Sequence, residues 1–366
     1  MTAGPTDAAG SAADAAGFAA CTVSEVRPDT DAVVLTLTPP EGIDLPFVHG
    51  QHLVFRREID GVEIRRSYSL CSPAGGPLQV AVRLVPGGAF STWANTELAI
   101  GDTVDVLAPS GRFTHELDPS AARRYLLVAG GSGITPILSI AATVLASEPE
   151  ARVTLLYVNS STATTMLLDE VEALRNRFLG RFDLWYAFTR EATALDLLDG
   201  RPDAERFVAL TERGILPTMP DLVFLCGPEG LVEAATEGLT MVGADPSAIH
   251  AELFSAGEGR LARPAPRVVA DDAEPVATAS LRLHGRTTEV PLFDGDTVLE
   301  AAQRVRPDVP YSCRAGVCST CRAHLDVGEV TMDISHGLDP SEVDAGYVLT
   351  CRAVPTTPEV TVDYDA

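Results

Sequence analysis

The sequence contains no lysine, so all 27 basic residues are arginines, and 51 Asp and Glu residues outnumber them. The formal net charge is −24 at pH 7. Nucleic acids and anionic membrane surfaces attract proteins whose positive charge is clustered. The charge balance therefore argues against both as partners.

Long apolar runs are also missing. No stretch of about 20 apolar residues occurs, as a membrane-spanning helix would require. Residues 1–17 have neither the basic start nor the apolar centre of a secretory signal. We therefore expect a cytoplasmic protein with no membrane span and a disordered tail over residues 1–17.

A disulfide framework is not indicated by the cysteines. There are seven, an odd number, and four of them fall in the last 54 residues. Disulfide scaffolds usually have an even number. The distribution instead favours a metal centre in one C-terminal domain.

The length of 366 residues fits two or three domains of about 100–150 residues. Short alternating strands over 18–117 predict an antiparallel β-barrel. Alternating strands and helices over 118–256 predict a parallel α/β domain. The Pro- and Gly-rich stretch 257–277 is typical of a linker, and 278–366 of a small α+β domain.

The strongest motif lies in that last domain. Cys313 and Cys318 enclose four residues, Cys318 and Cys321 enclose two, and 29 residues separate Cys321 from Cys351. C-x4-C-x2-C with a distant fourth Cys is the plant-type [2Fe–2S] spacing. We predict these four thiolates as the cluster ligands.

Small residues in the loop, Ala315, Gly316 and Ser319, suit a backbone that folds closely over a cluster. Backbone N–H groups there would point at the sulfurs. The alternative is a structural zinc site, which usually shows two short paired motifs. One three-Cys loop fits that pattern poorly.

A second motif follows the predicted strand 125–129. Gly131, Ser132 and Gly133 form a Gly-rich turn that opens a helix, where free N–H groups can bind a pyrophosphate. Thr135 is the predicted N-cap, and Pro136 the first helical residue.

A third segment, Cys226 and Gly227, ends the late strand 222–225. Parallel strands bind ligands beyond their carboxyl ends. We therefore expect Cys226 and Gly227 at the same edge as the Gly-rich turn, in one nicotinamide site.

These two sites need an intermediary. A nicotinamide cofactor gives two electrons as hydride, whereas an iron–sulfur centre accepts one. A flavin can take the pair and release single electrons. The barrel over 18–117 is the available place for it.

The residues at 66–69, Arg-Ser-Tyr-Ser, match the R-x-Y-S motif, and the chain here resembles the ferredoxin–NADP reductase superfamily. The resemblance implies that Arg66 pairs with the FAD phosphate, Tyr68 packs on the flavin ring and Ser69 bonds near its N5. A guanidinium suits a bidentate phosphate contact.

The same resemblance implies further contacts. Gly88 and Ser91 would meet the FAD pyrophosphate. Thr135 and Cys226 would join Ser69 in shaping hydride transfer, and Phe254, in an E-x-F motif, would close the reductase module against the cofactors.

The resemblance covers residues 18–366 in the order flavin, nicotinamide, ferredoxin, and implies a β-grasp fold for the last domain. The sequence of that domain looks like that of the reductase subunits of phenylacetyl-CoA epoxidases, which feed a di-iron oxygenase. Reductases of steroid 9α-hydroxylases and of other ring-hydroxylating (Rieske) oxygenases share the layout. So do FMN-dependent phthalate-dioxygenase-type reductases. All imply an oxygenase component as partner, which for the first would be a monooxygenase of phenylacetate catabolism.

The choice of nicotinamide cofactor rests on one segment. Residues 159–161, Asn-Ser-Ser, depart from the Asn-Arg of many relatives, and an acid that would favour NADH is absent. Thr189-Arg190-Glu191 resembles the S-R-E that contacts the 2′-phosphate in NADP-type members. The resemblance therefore favours NADPH over NADH, with Arg190 on the 2′-phosphate. Arg190 could equally be a solvated surface charge.

The charge of the C-terminal domain suggests how the protein binds the oxygenase. Residues 277–366 carry 7 Arg against 14 Asp and Glu. We expect this acidic domain to dock on a basic patch of the oxygenase, in a contact that weakens with salt. A zinc-stapled binding module and a stand-alone flavin reductase are the competing interpretations.

Overall fold

A computed structural model describes residues 13–14, 16–254 and 273–366. Residues 1–12 and 15 of the predicted tail over 1–17, and residues 257–272 of the predicted linker over 257–277, lie outside the described residues. Within the described chain, no helix is long and apolar enough to cross a membrane.

The first unit is a six-stranded antiparallel sheet of order β4-β3-β6-β1-β2-β5. A bridge between Leu70 and Val80 joins its two ends and closes it into a barrel. Val33, Leu35 and Leu53 lie among its buried core residues. The strands are β1 (Ala19–Asp29), β2 (Ala32–Thr38), β3 (His52–Ile59), β4 (Val62–Ser69), β5 (Leu78–Arg83) and β6 (Thr103–Val106).

The second unit is a parallel sheet of order β11-β10-β7-β8-β9. Its central strand is apolar along almost its whole length and buried, as a parallel strand covered on both faces must be. The strands are β7 (Arg124–Gly130), β8 (Arg152–Asn159), β9 (Phe182–Phe188), β10 (Leu222–Gly227) and β11 (Ile249–Leu253).

The third unit is a mixed sheet of order β13-β12-β18-β14-β16, with a separate pair β15-β17. Strands β12 and β18 run parallel, and the other pairs are antiparallel. The strands are β12 (Ala277–Leu283), β13 (Arg286–Leu292), β14 (Arg322–Val327), β15 (Val330–Thr331), β16 (Tyr347–Leu349), β17 (Val354–Pro355) and β18 (Glu359–Asp363).

Helices cover these sheets and in several cases begin where polar side chains cap them. Thr297 and Glu300 form a capping box at one of these starts. The α-helices are α1 (Ala89–Thr96), α2 (Ile134–Ser147), α3 (Leu168–Arg177), α4 (Ala204–Glu212), α5 (Glu229–Met241), α6 (Val298–Gln303) and α7 (Pro340–Asp344).

The fold class is the one predicted: an antiparallel barrel, a parallel α/β layer and a small α+β domain. The prediction for the start of α2 was wrong. A 3₁₀ turn over Gly131–Gly133 leads straight into a helix that begins at Ile134, with Gly133 as N-cap. Thr135 and Pro136 therefore lie inside the first turn.

Candidate functional site

Strand β4 presents the R-x-Y-S residues at the barrel's edge. Tyr68 packs in tilted contact with Phe90, at 5.5 Å between ring centroids. Ser69 is 5% exposed and lies opposite His52 in the β3–β4 register. The Arg66 guanidinium donates to the Arg65 carbonyl at 2.7 Å. These side chains form one wall of the site.

The start of α1 lies beside this wall. Its N-cap is Gly88, and the first turn has neither a side-chain cap nor an acidic residue. Ser91 is buried, and its hydroxyl accepts from the Val85 N–H at 3.1 Å. Ser91 thus shapes the loop, while the helix N-terminus offers N–H groups of the kind that bind phosphate.

The Gly-rich turn packs directly on the end of β10. A Cβ added at Gly133 would lie 2.2 Å from the Cys226 carbonyl oxygen, and Gly131 has a φ of +52°. Gly227 also approaches Gly130 closely. The structure therefore brings together the two motifs predicted to share a sheet edge, and only glycine fits at the contact.

Thr135 has a different role from the predicted cap. Its hydroxyl donates to the Ser132 carbonyl at 3.1 Å, from a side chain that is 2% exposed. It therefore fixes the turn from inside the helix.

Cys226 and Glu252 lie side by side in the β10–β11 register, below the site. Burial raises the pKa of the Cys226 thiol well above its usual range, with a smaller contribution from Glu252. Burial, and to a smaller extent the charge of Cys318, raises the pKa of Glu252 to about 8. Phe254 follows β11, and its N–H donates to the Gly227 carbonyl at 2.8 Å.

Three further residues lie at or behind the Gly-rich turn, none of which the sequence predicted as a site residue. The Arg83 guanidinium lies 3.1 Å from the Cβ position of Gly131 and pairs with Asp31 at 2.8 Å. The Tyr157 hydroxyl donates to the Gly131 carbonyl at 3.1 Å. No local pattern signals these contacts, because they join segments that are distant in the sequence.

The adenosine side of the site is less enclosed. Arg190 is exposed at the end of β9, and its N–H donates to the Ser160 carbonyl at 2.9 Å. Glu191 accepts from the Thr162 N–H at 2.7 Å. The loops after β8 and β9 therefore meet, which places Arg190 beside the 159–161 segment.

The cysteine loop is tightly folded, and two of its three predicted small residues take a positive φ, as does Arg314, which the prediction did not include. Arg314, Gly316 and Ser319 all have positive φ, at 53°, 77° and 56°. The Ala315 N–H donates to the Cys313 sulfur at 3.3 Å. A Cβ at Gly316 would meet the Ile334 carbonyl oxygen at 2.8 Å, so the backbone there is closely covered.

The four thiols fall into two neighbouring pairs. Cys313 interacts with Cys318, which raises the pKa of Cys313 and holds that of Cys318 well below its usual range. Cys351 pairs with Cys321, and this contact raises the pKa of Cys351. Two irons, each with two thiolates, need this division.

A single-ion site fits less well. Among residues 13–14, 16–254 and 273–366, no group of three or more His, Cys, Asp or Glu side chains is arranged to hold one metal ion. Tetrahedral zinc needs its ligands to converge on one point. The paired thiols therefore suit a two-iron cluster.

The cysteine loop also touches the barrel. The His52 ring nitrogen Nε2 lies 3.2 Å from the Thr320 hydroxyl, between Cys318 and Cys321 in sequence. His52 is 3% exposed and is the strand partner of Ser69. His52 thus lies between the strand that carries Ser69 and the loop that carries Cys318 and Cys321.

Family comparisons divide the chain in the same order. An oxidoreductase FAD-binding domain matches residues 21–115, and an oxidoreductase NAD-binding domain matches 127–237. A 2Fe-2S iron-sulfur cluster binding domain matches 281–356.

Similar proteins share the whole arrangement. One of the subunits of the 1,2-phenylacetyl-CoA epoxidase of Escherichia coli K12 is 37% identical, over 95% of this chain and 98% of its own. The ferredoxin reductase component of 3-ketosteroid-9-alpha-monooxygenase from Mycobacterium tuberculosis is 31% identical, over 94% and 95%.

Solved structures agree. Phthalate dioxygenase reductase has a TM-score of 0.57 at 25% identity, covering 95% of this chain and 98% of its own. An intact type IV self-sufficient cytochrome P450 monooxygenase has a TM-score of 0.68 at 26% identity. That match covers 94% of this chain and 41% of the other.

Proposed function

Since the chain belongs to the ferredoxin–NADP reductase superfamily, in the branch of oxygenase reductases with a C-terminal [2Fe–2S] domain, we propose that it serves a di-iron oxygenase that epoxidises phenylacetyl-CoA. Its chemistry is that of an NAD(P)H-dependent flavin and iron–sulfur oxidoreductase with FAD as the flavin. The proposed substrate, phenylacetyl-CoA, is inferred from the name of the relative that is 37% identical to this chain.

One observation carries the proposal for the electron path. Ser69 pairs with His52 across β4 and β3, and His52 contacts Thr320 in the cysteine loop. Electrons that leave a flavin held at Ser69 therefore have a cluster loop next to them, within the same chain.

The residues divide among three groups. For FAD we assign Arg66 to the phosphates, Tyr68 to the ring, Ser69 to its reactive edge, and Gly88 to the pyrophosphate at the N-terminus of α1. Ser91 orders that loop. The assignment fits because this helix start is uncapped and free of acidic residues.

The dinucleotide is assigned to the edge of the parallel sheet. Its pyrophosphate would lie at Gly131, Ser132 and Gly133, with the nicotinamide end near Thr135, Cys226, Gly227 and Phe254. The Arg83 guanidinium beside this turn supplies a positive side chain.

A bound FAD would supply the chemistry that accepts one hydride, with its two electrons, from the nicotinamide and releases those electrons singly to the iron–sulfur centre. The protein supplies position and exclusion of water. Burial raises the pKa of the Cys226 thiol, so this side chain would remain a neutral thiol beside a bound nicotinamide. Cys313, Cys318, Cys321 and Cys351 would hold the two irons.

We further propose NADPH as the donor, because Arg190 is exposed beside the 159–161 loop and can meet a 2′-phosphate. The cytoplasm is the proposed location, since free thiolates and NADPH are both maintained there.

The test is isolation without air, followed by spectroscopy and reconstitution. The chain should hold FAD and two irons with acid-labile sulfide, and NADPH should bleach its visible spectrum. It should support phenylacetyl-CoA epoxidation when mixed with the oxygenase subunits. A colourless chain, or support for a 3-ketosteroid hydroxylase alone, would contradict the proposal.

A further inference from the structure

Strand β4 has two functional faces. Successive side chains of a strand point to opposite sides. Arg66 and Tyr68, of the R-x-Y-S motif, therefore lie on one face, whereas Glu63, Arg65, Ser67 and the terminal Ser69 lie on the other. On this second face, Glu63, Arg65 and Ser67 contact the ferredoxin domain.

The ferredoxin-domain residues in these contacts are Tyr311 and Ser312, which directly precede Cys313. The Arg65 guanidinium lies 4.0 Å from the centroid of the Tyr311 ring. The Tyr311 hydroxyl donates to Glu63 Oε1 at 3.1 Å, and Arg65 Nε donates to the same oxygen at 2.9 Å. The three side chains form a closed triangle.

A second contact lies one step along the strand. The hydroxyl oxygens of Ser67 and Ser312 are 2.8 Å apart. Ser312 is 4% exposed, Arg65 is 6% exposed and Tyr311 is 9% exposed. The stack of Arg65 on Tyr311 is therefore largely desolvated, which strengthens the cation–π interaction, whereas the side chain of Glu63 is 43% exposed at the edge of the contact.

Its chemistry suits a contact that forms and releases. Every group in it is polar or amphipathic and can be hydrated when the domains part, as in transient interfaces. Each hydride brings two electrons, but the cluster accepts one at a time. The cluster must therefore pass the first electron to an external acceptor before the second electron crosses from the flavin.

We propose that Glu63, Arg65 and Ser67 of β4, together with Tyr311 and Ser312, form a clasp that positions the cysteine loop against the flavin strand and so sets the rate of flavin-to-cluster electron transfer. The inference rests on the proposed function. These are positioning residues, because they act through the strand and the loop and not on the cofactors themselves.

The test uses the holoprotein and the substitution Tyr311→Leu, which removes the ring beneath Arg65. The protein is mixed rapidly with NADPH without air, and the bleaching of the flavin and of the cluster is followed. The rate of flavin bleaching should not change. The rate of cluster bleaching should fall by about tenfold, because losing one desolvated cation–π contact lowers the population of the clasped state by about that factor. Hydrogen exchange over 62–69 and 309–312 should accelerate. Tyr311→Phe should restore most of the rate.

Phe293→Leu is the matched control. Arg304 lies 5.2 Å from the centroid of the Phe293 ring and pairs with Asp296, so this is also an arginine–aromatic contact, with these partners inside the ferredoxin domain. It should leave the flavin-to-cluster rate and exchange over 62–69 unchanged. Equal slowing in both variants, or none in Tyr311→Leu, would overturn the clasp.

A double variant on the barrel side provides the test if Tyr311→Leu fails to retain iron. The double substitution Glu63→Ala and Ser67→Ala removes the acceptor of both hydrogen bonds, leaves the ferredoxin domain intact and should also slow cluster bleaching. A wild-type rate in that double variant would equally overturn the clasp. If wild-type protein showed no bleaching with NADPH, the proposed function itself would fail.

Discussion

At the scale of single residues, cofactor choice is proposed to depend on Arg190. Arg190→Ala should raise the KM for NADPH about tenfold and leave that for NADH unchanged, because a charge-assisted phosphate contact is worth ~1.4 kcal/mol or more. Steady-state kinetics with both donors measures this. Arg152→Ala, exposed at the opposite end of the sheet, is the control. Equal loss with both donors would contradict the role.

A second residue-scale prediction concerns the close approach at Gly133. Gly133→Ala should destabilise the chain by ~1–3 kcal/mol and weaken NADPH binding, because the new methyl group would lie 2.2 Å from the Cys226 carbonyl oxygen. Thermal unfolding and the KM for NADPH report the two effects. Gly230→Ala meets nothing within 4 Å and should leave both unchanged or slightly raise stability. A Gly133→Ala protein with wild-type unfolding and KM would refute the packing argument.

At the scale of elements, a buried polar chain joins the barrel to the parallel sheet. His49 Nε2 lies 3.1 Å from His115 Nδ1, and His115 Nε2 lies 2.8 Å from the Tyr125 hydroxyl. Tyr125 in turn donates to Glu148 at 2.8 Å. Burial lowers the pKa of His49 to about 4 and, with help from the neighbouring charges of His49, Arg123 and His250, that of His115 to about 3.

The pH dependence follows from these directions. Both rings are neutral when folded, while the unfolded chain binds protons below about pH 6.5. The contribution of the two neutral histidines to the free energy of unfolding is therefore fully present above pH 6.5. It is lost as the pH falls towards 4, by up to ~3 kcal/mol for His49. The thermal midpoint of wild type should fall between pH 7 and 5.

The substitution His49→Gln should flatten that fall and lower the midpoint at pH 7. His284→Gln is the control, since the His284 side chain is 72% exposed. Unfolding curves at several pH values measure both variants. An equally steep fall in His49→Gln would show that other groups carry the acid sensitivity.

The elements also show what sequence reasoning could and could not reach. Strand β7 and the Gly-rich turn were predictable because buried apolar runs and glycines act locally. The start of α2 was not, because the 3₁₀ turn at 131–133 removes the need for a Thr135 cap. The contact of His52 with Thr320 joins residues 268 positions apart, and no local pattern encodes such a pair.

At the scale of the whole molecule, the net charge of −24 should govern how the oxygenase is met. Raising NaCl from about 20 to about 300 mM shortens the Debye length from ~20 to ~6 Å. The KM for the oxygenase should then rise about tenfold, while kcat at saturating oxygenase stays within about twofold, since screening weakens encounter and not the internal steps. Turnover assays at varied oxygenase concentration separate the two. A KM that salt leaves unchanged would mean that apolar contacts hold the partner, and the acidic surface would then serve solubility alone.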